Sequence, residues 1–275
     1  MLTILAILTT LGHVGALPNL ETTTACDELF ARYPQHLAYD PVGPSAIKTA
    51  LNAMSYASTN MEYWNKENSD HRSACTFMPA SAEHVADAVR ILNRYPNVHF
   101  ALKGGGHNPA PGFNAVHEGV LIAFEVNLGS SITTRTADGN HFIVGPGARW
   151  GEVYKYTGQT QQVVVGGRLA HVGVGGFLLG GGYSWVTDQY GLGSDTIASF
   201  DLVRPDGTFV KVDEVSEPDL FFALKGGLNN FGLVTTFTLK TYPLGKVWVS
   251  ILESLLRPGF TLENTGWCDR LFNGA

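Results

Sequence analysis

Glycine in this chain is gathered into three clusters: Lys103-Gly104-Gly105-Gly106-His107, Gly173-Val174-Gly175-Gly176-Phe177-Leu178-Leu179-Gly180-Gly181-Gly182, and Lys225-Gly226-Gly227-Leu228-Asn229-Asn230-Phe231-Gly232. Each stands beside a segment that reads as a strand. Where a side chain is missing, backbone can come close to a ligand, and converging N–H groups can cradle an anion such as a phosphate. Thirty-two glycines in 275 residues, about 12% against a usual figure of about 7%, with no collagen-like period, mark the excess as local and geometric. His107, which ends the first cluster, is the side chain best placed to meet whatever the clusters hold.

A formal net charge of −6 with no basic run argues against nucleic acid or an anionic membrane surface as the main partner. Residues 1–16 are apolar, lack Asp, Glu, Lys and Arg, and end in Val14-Gly15-Ala16. That pattern reads as a secretory signal peptide, and the stretch is shorter than the roughly 20 residues a membrane span needs. Three cysteines, Cys26, Cys75 and Cys268, suit an oxidising compartment in which two pair and one is left over, Cys26 with Cys75 being the expected pair and three free thiols the alternative.

Residues 21–73 are polar and without periodicity, and read as a leading arm anchored by Tyr63-Trp64, with a possible helix over 46–54. A helix is expected over 79–94, with Ser81 as its cap and Val85, Val89 and Leu92 on one face. Strands are expected over 98–102, 120–126, 141–144 and 163–165, and a helix over 150–157. Residues 197–204 and 208–212 flank Pro205-Asp206-Gly207, a hairpin signal. A short helix over 219–224 and a half-buried strand over 233–241 follow. Strands and helices intermix without a regular βαβ beat, which favours an α+β fold.

Several chemistries find no support. The second cluster comes near Gly-x-Gly-x-x-Gly, with Leu178 where the last glycine after Gly173 and Gly175 would stand, and no helix-opening βαβ unit is evident around it. There is no Gly-x-x-x-x-Gly-Lys-[Ser/Thr] and no Gly-x-Ser-x-Gly. The nine histidines are dispersed, with no His-x-x-x-His pair, so no metal is expected.

Taken in order, five motifs carry a resemblance: Lys103-Gly-Gly-Gly-His107; Gly145-Pro-Gly-Ala-Arg-Trp150; Val164-Val-Gly-Gly-Arg168 through Val172-Gly-Val-Gly-Gly176 to Gly180-Gly-Gly-Tyr183; Tyr190-Gly-Leu-Gly-Ser-Asp195; and Ala223-Leu-Lys-Gly-Gly-Leu-Asn-Asn-Phe-Gly-Leu-Val-Thr235. Over about 75–243 the chain resembles the flavin-binding half of the berberine bridge enzyme-like oxidases, in the vanillyl-alcohol oxidase/p-cresol methylhydroxylase superfamily, its fungal secreted branch in particular. The resemblance implies a PCMH-type FAD-binding domain of two α+β subdomains over 71–243. It implies FAD held by backbone N–H groups and joined covalently through His107 to the flavin 8α-methyl. The cofactor-binding positions it implies are Gly104, Gly105, Gly106, His107, Asn108, Gly112, Val172, Gly173, Gly175, Gly176, Gly181, Gly182, Asp195, Asn230, Gly232 and Val234. Leu169 stands where some members carry a second, cysteinyl link, so one covalent bond is expected. Val172 stands at the position that gates oxygen. Two departures are visible: Leu228 replaces a usual glycine or small residue, and Ala123-Phe124 replaces a usual Ile-Asp.

Members of the family continue well past this length through a substrate domain, so 244–275 reads as the truncated start of that domain or an aberrant tail, after a leading arm over 17–70. The function implied is a secreted FAD-dependent oxidase. It would transfer a hydride from a small organic substrate, a secondary metabolite or sugar, to covalent FAD and then to O2. The alternatives are a non-catalytic flavin-binding remnant and a secreted binding module. Substrate, catalytic base and oligomeric state are not legible from these residues.

Overall fold

Asn19 starts the first helix: its side chain accepts from the Thr22 N–H, and α1 (Leu20–Arg32) buries Ala25, Cys26 and Leu29. The computed structural model describes residues 18–42, 53–125 and 133–245. After α1 come β1 (Leu37–Tyr39), α2 (Ala53–Met61), α3 (Lys66–Ser69), β2 (Cys75–Phe77), α4 (Ala82–Leu92), β3 (Phe100–Lys103) and β4 (Val120–Ala123). The four strands form a mixed sheet in the order β1-β2-β4-β3. β2 and β3 run parallel to β4, Cys75 and Phe100 both facing Val120, while β1 is antiparallel to β2. The Val-Leu-Ile-Ala run of β4 is buried throughout, as an unbroken apolar strand between two parallel neighbours should be.

The second half contains β5 (Thr133–Arg135), β6 (His141–Val144), α5 (Trp150–Gly158), β7 (Gln162–Val163), α6 (Val174–Leu179), α7 (Thr187–Tyr190), β8 (Ile197–Val203), β9 (Phe209–Asp213), α8 (Pro218–Leu224), β10 (Leu233–Lys240) and β11 (Tyr242–Pro243). Five of its strands form an antiparallel sheet, β5-β6-β10-β8-β9, and β7 pairs separately with β11. Phe142, Trp150, Leu178, Phe200 and Phe237 lie in a second core on this sheet. The architecture is therefore α+β, as the intermixed pattern implied, in the two subdomains that the resemblance implied.

Helix α4 joins the two. Capped by Ser81 as expected, it buries Val85, Val89 and Leu92 in the first core together with Val203 and Leu233 of the second sheet. Its far end grips the β8–β9 turn, Arg90 donating to the Gly207 carbonyl at 2.7 Å and Asn93 to the Pro205 carbonyl at 2.7 Å. Gly207 has φ +81, the left-handed backbone that the Pro-Asp-Gly signal foretold.

The supposed leading arm is the main departure. α1 and β1 belong to the first core, and the Cys26–Cys75 disulfide fastens α1 to β2. A three-residue strand is too short to show periodicity. The helix expected over 46–54 meets the observed α2 only at its end, 43–52 lying outside the described residues. α2 was illegible because its buried side is polar. Asn60 Nδ2 donates to Thr76 Oγ1 at 2.8 Å, Ser73 Oγ donates to Asn60 Oδ1 at 2.8 Å, and Tyr56 OH donates to the Ser73 carbonyl at 2.7 Å. The signal-peptide stretch 1–16, Cys268 and the tail from 246 lie outside the described residues. Among those described, no helix is long and apolar enough to cross a membrane.

Candidate functional site

Three loops meet where the two subdomains face each other: 104–107 after β3, 145–149 after β6, and 172–176 running into α6. They meet backbone on backbone. A Cβ on Gly105 would lie 2.4 Å from Gly173 N, and one on Gly173 would lie 2.4 Å from Gly105 N. A Cβ on Gly104 or on Gly175 would lie 2.9 Å from the Pro146 carbonyl oxygen. Gly105 and Gly173 are thus required by each other. Gly176 differs, because nothing stands within 4 Å of a Cβ built there.

In front of these loops lies a cavity of ≈350 Å³, within the usual size of ligand clefts. Of the positions expected to bind cofactor, Gly104, Gly105, Gly106, His107, Asn108, Val172, Gly173, Gly175, Gly176 and Val234 line it together. Gly112, Gly181, Gly182, Asp195, Asn230 and Gly232 do not. Asp195 holds a turn, its carboxylate accepting from the Leu192 N–H at 2.9 Å, and Asn230 donates to the Gly227 carbonyl at 2.8 Å. Gly232 is pressed on β8, where a Cβ would lie 2.6 Å from the Val203 oxygen. Phe113, Asn114, Phe124, Pro146, Phe177 and Asn229 also line the cavity and were not among the expected positions; single residues beside loops carry no sequence signal. Leu169 is exposed and outside the lining.

His107 is half-buried, its ring 4.9 Å from that of His171 and 5.8 Å from that of Trp64. Its Nε2 is shut off from water and has no hydrogen-bond partner. Burial, then the neighbouring His171, hold its pKa below the usual imidazole value, and Arg149 adds to the effect. The imidazole is therefore neutral at neutral pH. Behind the loop, Lys103 is fully buried and donates to Glu125 at 2.6 Å and to the Thr59 carbonyl at 2.7 Å. Burial pushes the Lys103 ammonium down and the Glu125 carboxyl up. Lys103 and Arg149 both face the Glu125 carboxylate, and their charges oppose the upward push of burial.

The cavity combines an apolar wall with oriented amides. Among the described residues, the N–H groups of Gly104, Gly105, Gly106 and His107 are spent on no backbone carbonyl. Such a set suits a ligand that is part flat ring and part polyanion. No group of three or more His, Cys, Asp or Glu among the described residues could hold a metal ion.

Residues 73–213 match the sequence profile of a family described as an FAD binding domain. An FAD-dependent monooxygenase of Fusarium proliferatum is 38% identical over 199 residues, covering 72% of this chain and 38% of that protein. Among solved structures, the xylooligosaccharide oxidase of Myceliophthora thermophila is similar with a TM-score of 0.65 and 27% identity, over 80% of this chain and 43% of that one. The glucooligosaccharide oxidase of Acremonium strictum, whose flavin is described as 6-S-cysteinyl, 8α-N1-histidyl FAD, is similar with a TM-score of 0.64 and 25% identity, over 79% and 42%. The chain thus spans well under half the length of these relatives.

Proposed function

The chain belongs to the family described as an FAD binding domain, with FAD-linked oxidoreductases among its relatives, and we propose that it is the flavin-binding portion of an oxidase of berberine bridge enzyme-like type that carries FAD covalently on His107. The observation that carries the reading is the half-buried, neutral imidazole, its Nε2 shut off from water and without a hydrogen-bond partner, at the end of a loop of uncommitted amides. Amides of 104–107 and the first turn of α6 at Gly176 would hold the cofactor, with Val172, Phe177 and Val234 as apolar wall. Bound FAD supplies hydride acceptance from the substrate and delivery of the electrons to O2.

The chain's own part is to orient and attach. His107 would supply the nitrogen of the link, a C–N bond replacing its N–H bond and one methyl C–H bond of the flavin, with the two protons and two electrons released passing to O2 as hydrogen peroxide. A neutral imidazole is the nucleophilic form. With Leu169 in place of a thiol, the attachment is single.

We assign the substrate to small hydroxylated organic molecules. The oligosaccharide oxidases among the structural relatives support a sugar. The apolar residues 1–16 and the Cys26–Cys75 bridge support secretion.

The test is acid precipitation of the purified chain. Flavin absorbance should stay with the wild-type pellet and move wholly to the supernatant for His107→Ala. Flavin released from the wild type would refute attachment, and a colourless chain expressed with ample riboflavin would refute flavin binding. Oxygen uptake with a panel of oligosaccharides and phenolic alcohols then reads the substrate class.

A further inference from the structure

The charged groups behind the cleft form a continuous chain that neither the glycine motifs nor the reaction accounts for. Lys103, the residue before the first glycine loop, is 0% exposed. Its Nζ is 2.6 Å from Glu125 Oε1 and 4.4 Å from the centre of the Tyr63 ring. The other oxygen of Glu125 lies 3.4 Å from Arg149 Nη2. Arg149 precedes α5 on the other subdomain, and its Nη1 donates to the His171 carbonyl at 3.3 Å. Its backbone also bridges to Gly173. So a line of ion pairs and hydrogen bonds runs from the end of β3, which leads into the His107 loop, through Glu125 just past β4, to the loop that carries His171 and Gly173.

A buried lysine with a carboxylate is weak evidence for stability, since burial costs about what the pairing returns. Its better-attested use is to fix one arrangement among several. Here the arrangement is the contact of Gly105 with Gly173, which leaves no slack for a Cβ.

We propose that Lys103, Glu125 and Arg149 form a charge latch across the cleft that sets the His107 loop against the His171–Gly173 loop and so presents His107 for cofactor attachment. These are positioning residues, and the proposal rests on the reading of His107 as the attachment site. Arg149 is its hinge, because it reaches both loops' supports with two separate nitrogens. The groups facing His107 are His171 and Arg149 from the second subdomain, with Lys103, Glu62 and Glu125 behind them; Glu62 stands 3.7 Å from Arg149. Arg149 disfavours protonation of His107, so removing its charge lets the imidazole protonate at higher pH.

Arg149→Met is the informative change, since Lys103 and Glu125 remain paired with each other and no buried charge is stranded. The full chain is made under riboflavin starvation, FAD is added, and acid-stable flavin is followed in time from pH 5 to 8. For Arg149→Met the expectation is attachment slowed at least tenfold, an acid limb displaced toward higher pH, and an unchanged thermal midpoint. Arg149→Lys restores the acid limb, because the charge returns, but not the rate, because one ammonium cannot reach Glu125 and the His171 carbonyl together. Wild-type rate and acid limb in Arg149→Met would overturn the latch. So would a slow rate accompanied by a lowered thermal midpoint and an unmoved acid limb, which is what a merely structural residue would give. Acid-stable flavin persisting in His107→Ala would instead overturn the attachment reading beneath it.

Discussion

Replacing Gly105 and Gly176 by alanine separates the two uses of glycine in this site. At Gly105 the new Cβ would meet Gly173 N at 2.4 Å and Gly173 Cα at 2.6 Å. Ordinary contact begins near 3.4 Å, so the two loops must part by about 1 Å, and backbone on both sides cannot rotate away as a side chain would. Overpacking of this kind costs about 1–3 kcal/mol. At about 2–4 °C per kcal/mol for a domain of this size, the thermal midpoint should fall by several degrees, and flavin content should fall with it. Gly176→Ala should do the reverse on the first measure. Its surroundings are open and it sits in the first turn of α6, where alanine at a compatible site is worth about 0.4–1 kcal/mol over glycine. The added methyl nevertheless stands on the cavity wall, so flavin occupancy should drop while the midpoint holds or rises. The assay is differential scanning fluorimetry beside the ratio of flavin to protein absorbance. An unaltered midpoint in Gly105→Ala would refute the pressed-loop argument, and full flavin occupancy in Gly176→Ala would refute that turn as a cofactor wall.

Reducing the Cys26–Cys75 bridge, which spans 49 positions, should lower stability by about 4 kcal/mol on the chain-entropy estimate, read as a drop in urea midpoint for the Cys26→Ser/Cys75→Ser chain. Hydrogen bonding from Tyr33, then the charge of Arg32, hold the Asp87 pKa below its usual value, so its contribution is present above the unfolded carboxylate pKa and is lost as pH falls through the folded one. Asp87→Asn should therefore be less stable than wild type at pH 7 and converge with it in strong acid, as urea titrations across pH 2–7 would show.

What could be read from the sequence followed the range of the physics that encodes it. α4 and the β8–β9 hairpin were legible because a cap, an apolar stripe and a Pro-Asp-Gly turn are local signals. α2 was not, because its buried face consists of Tyr56, Thr59 and Asn60: Tyr56 and Asn60 find Ser73 and Thr76, just before and within β2, while Thr59 bonds back to the Tyr56 carbonyl. The glycine clusters marked the right loops, but for a partly different reason than ligand approach: Gly105 and Gly173 serve each other, and Gly182 and Gly232 serve Phe177 and Val203. Lys103 and Arg149 were invisible as a pair, since nothing in their spacing tells that Glu125 lies between them.

Leu228 brings these strands together, and it tests whether a departure from family pattern can be read as stored strain. The family usually has glycine or a small residue there; this chain has leucine, at φ +58, held by its N–H donating to the Leu179 carbonyl at 3.1 Å and lining the cavity. A left-handed backbone costs an L-residue about 1–2 kcal/mol, whereas glycine adopts it freely at an entropic cost of about 0.5–1 kcal/mol. Leu228→Ala keeps the strained backbone and loses the side chain's packing, so it should be clearly destabilising. Leu228→Gly loses the same packing but sheds the strain, so it should be the more stable of the two, by up to about 1.5 kcal/mol on those figures. That order inverts the usual preference of alanine over glycine. Urea midpoints of the two variants measured side by side decide it, and alanine proving the more stable would mean that the backbone at 228 is not held left-handed by the fold.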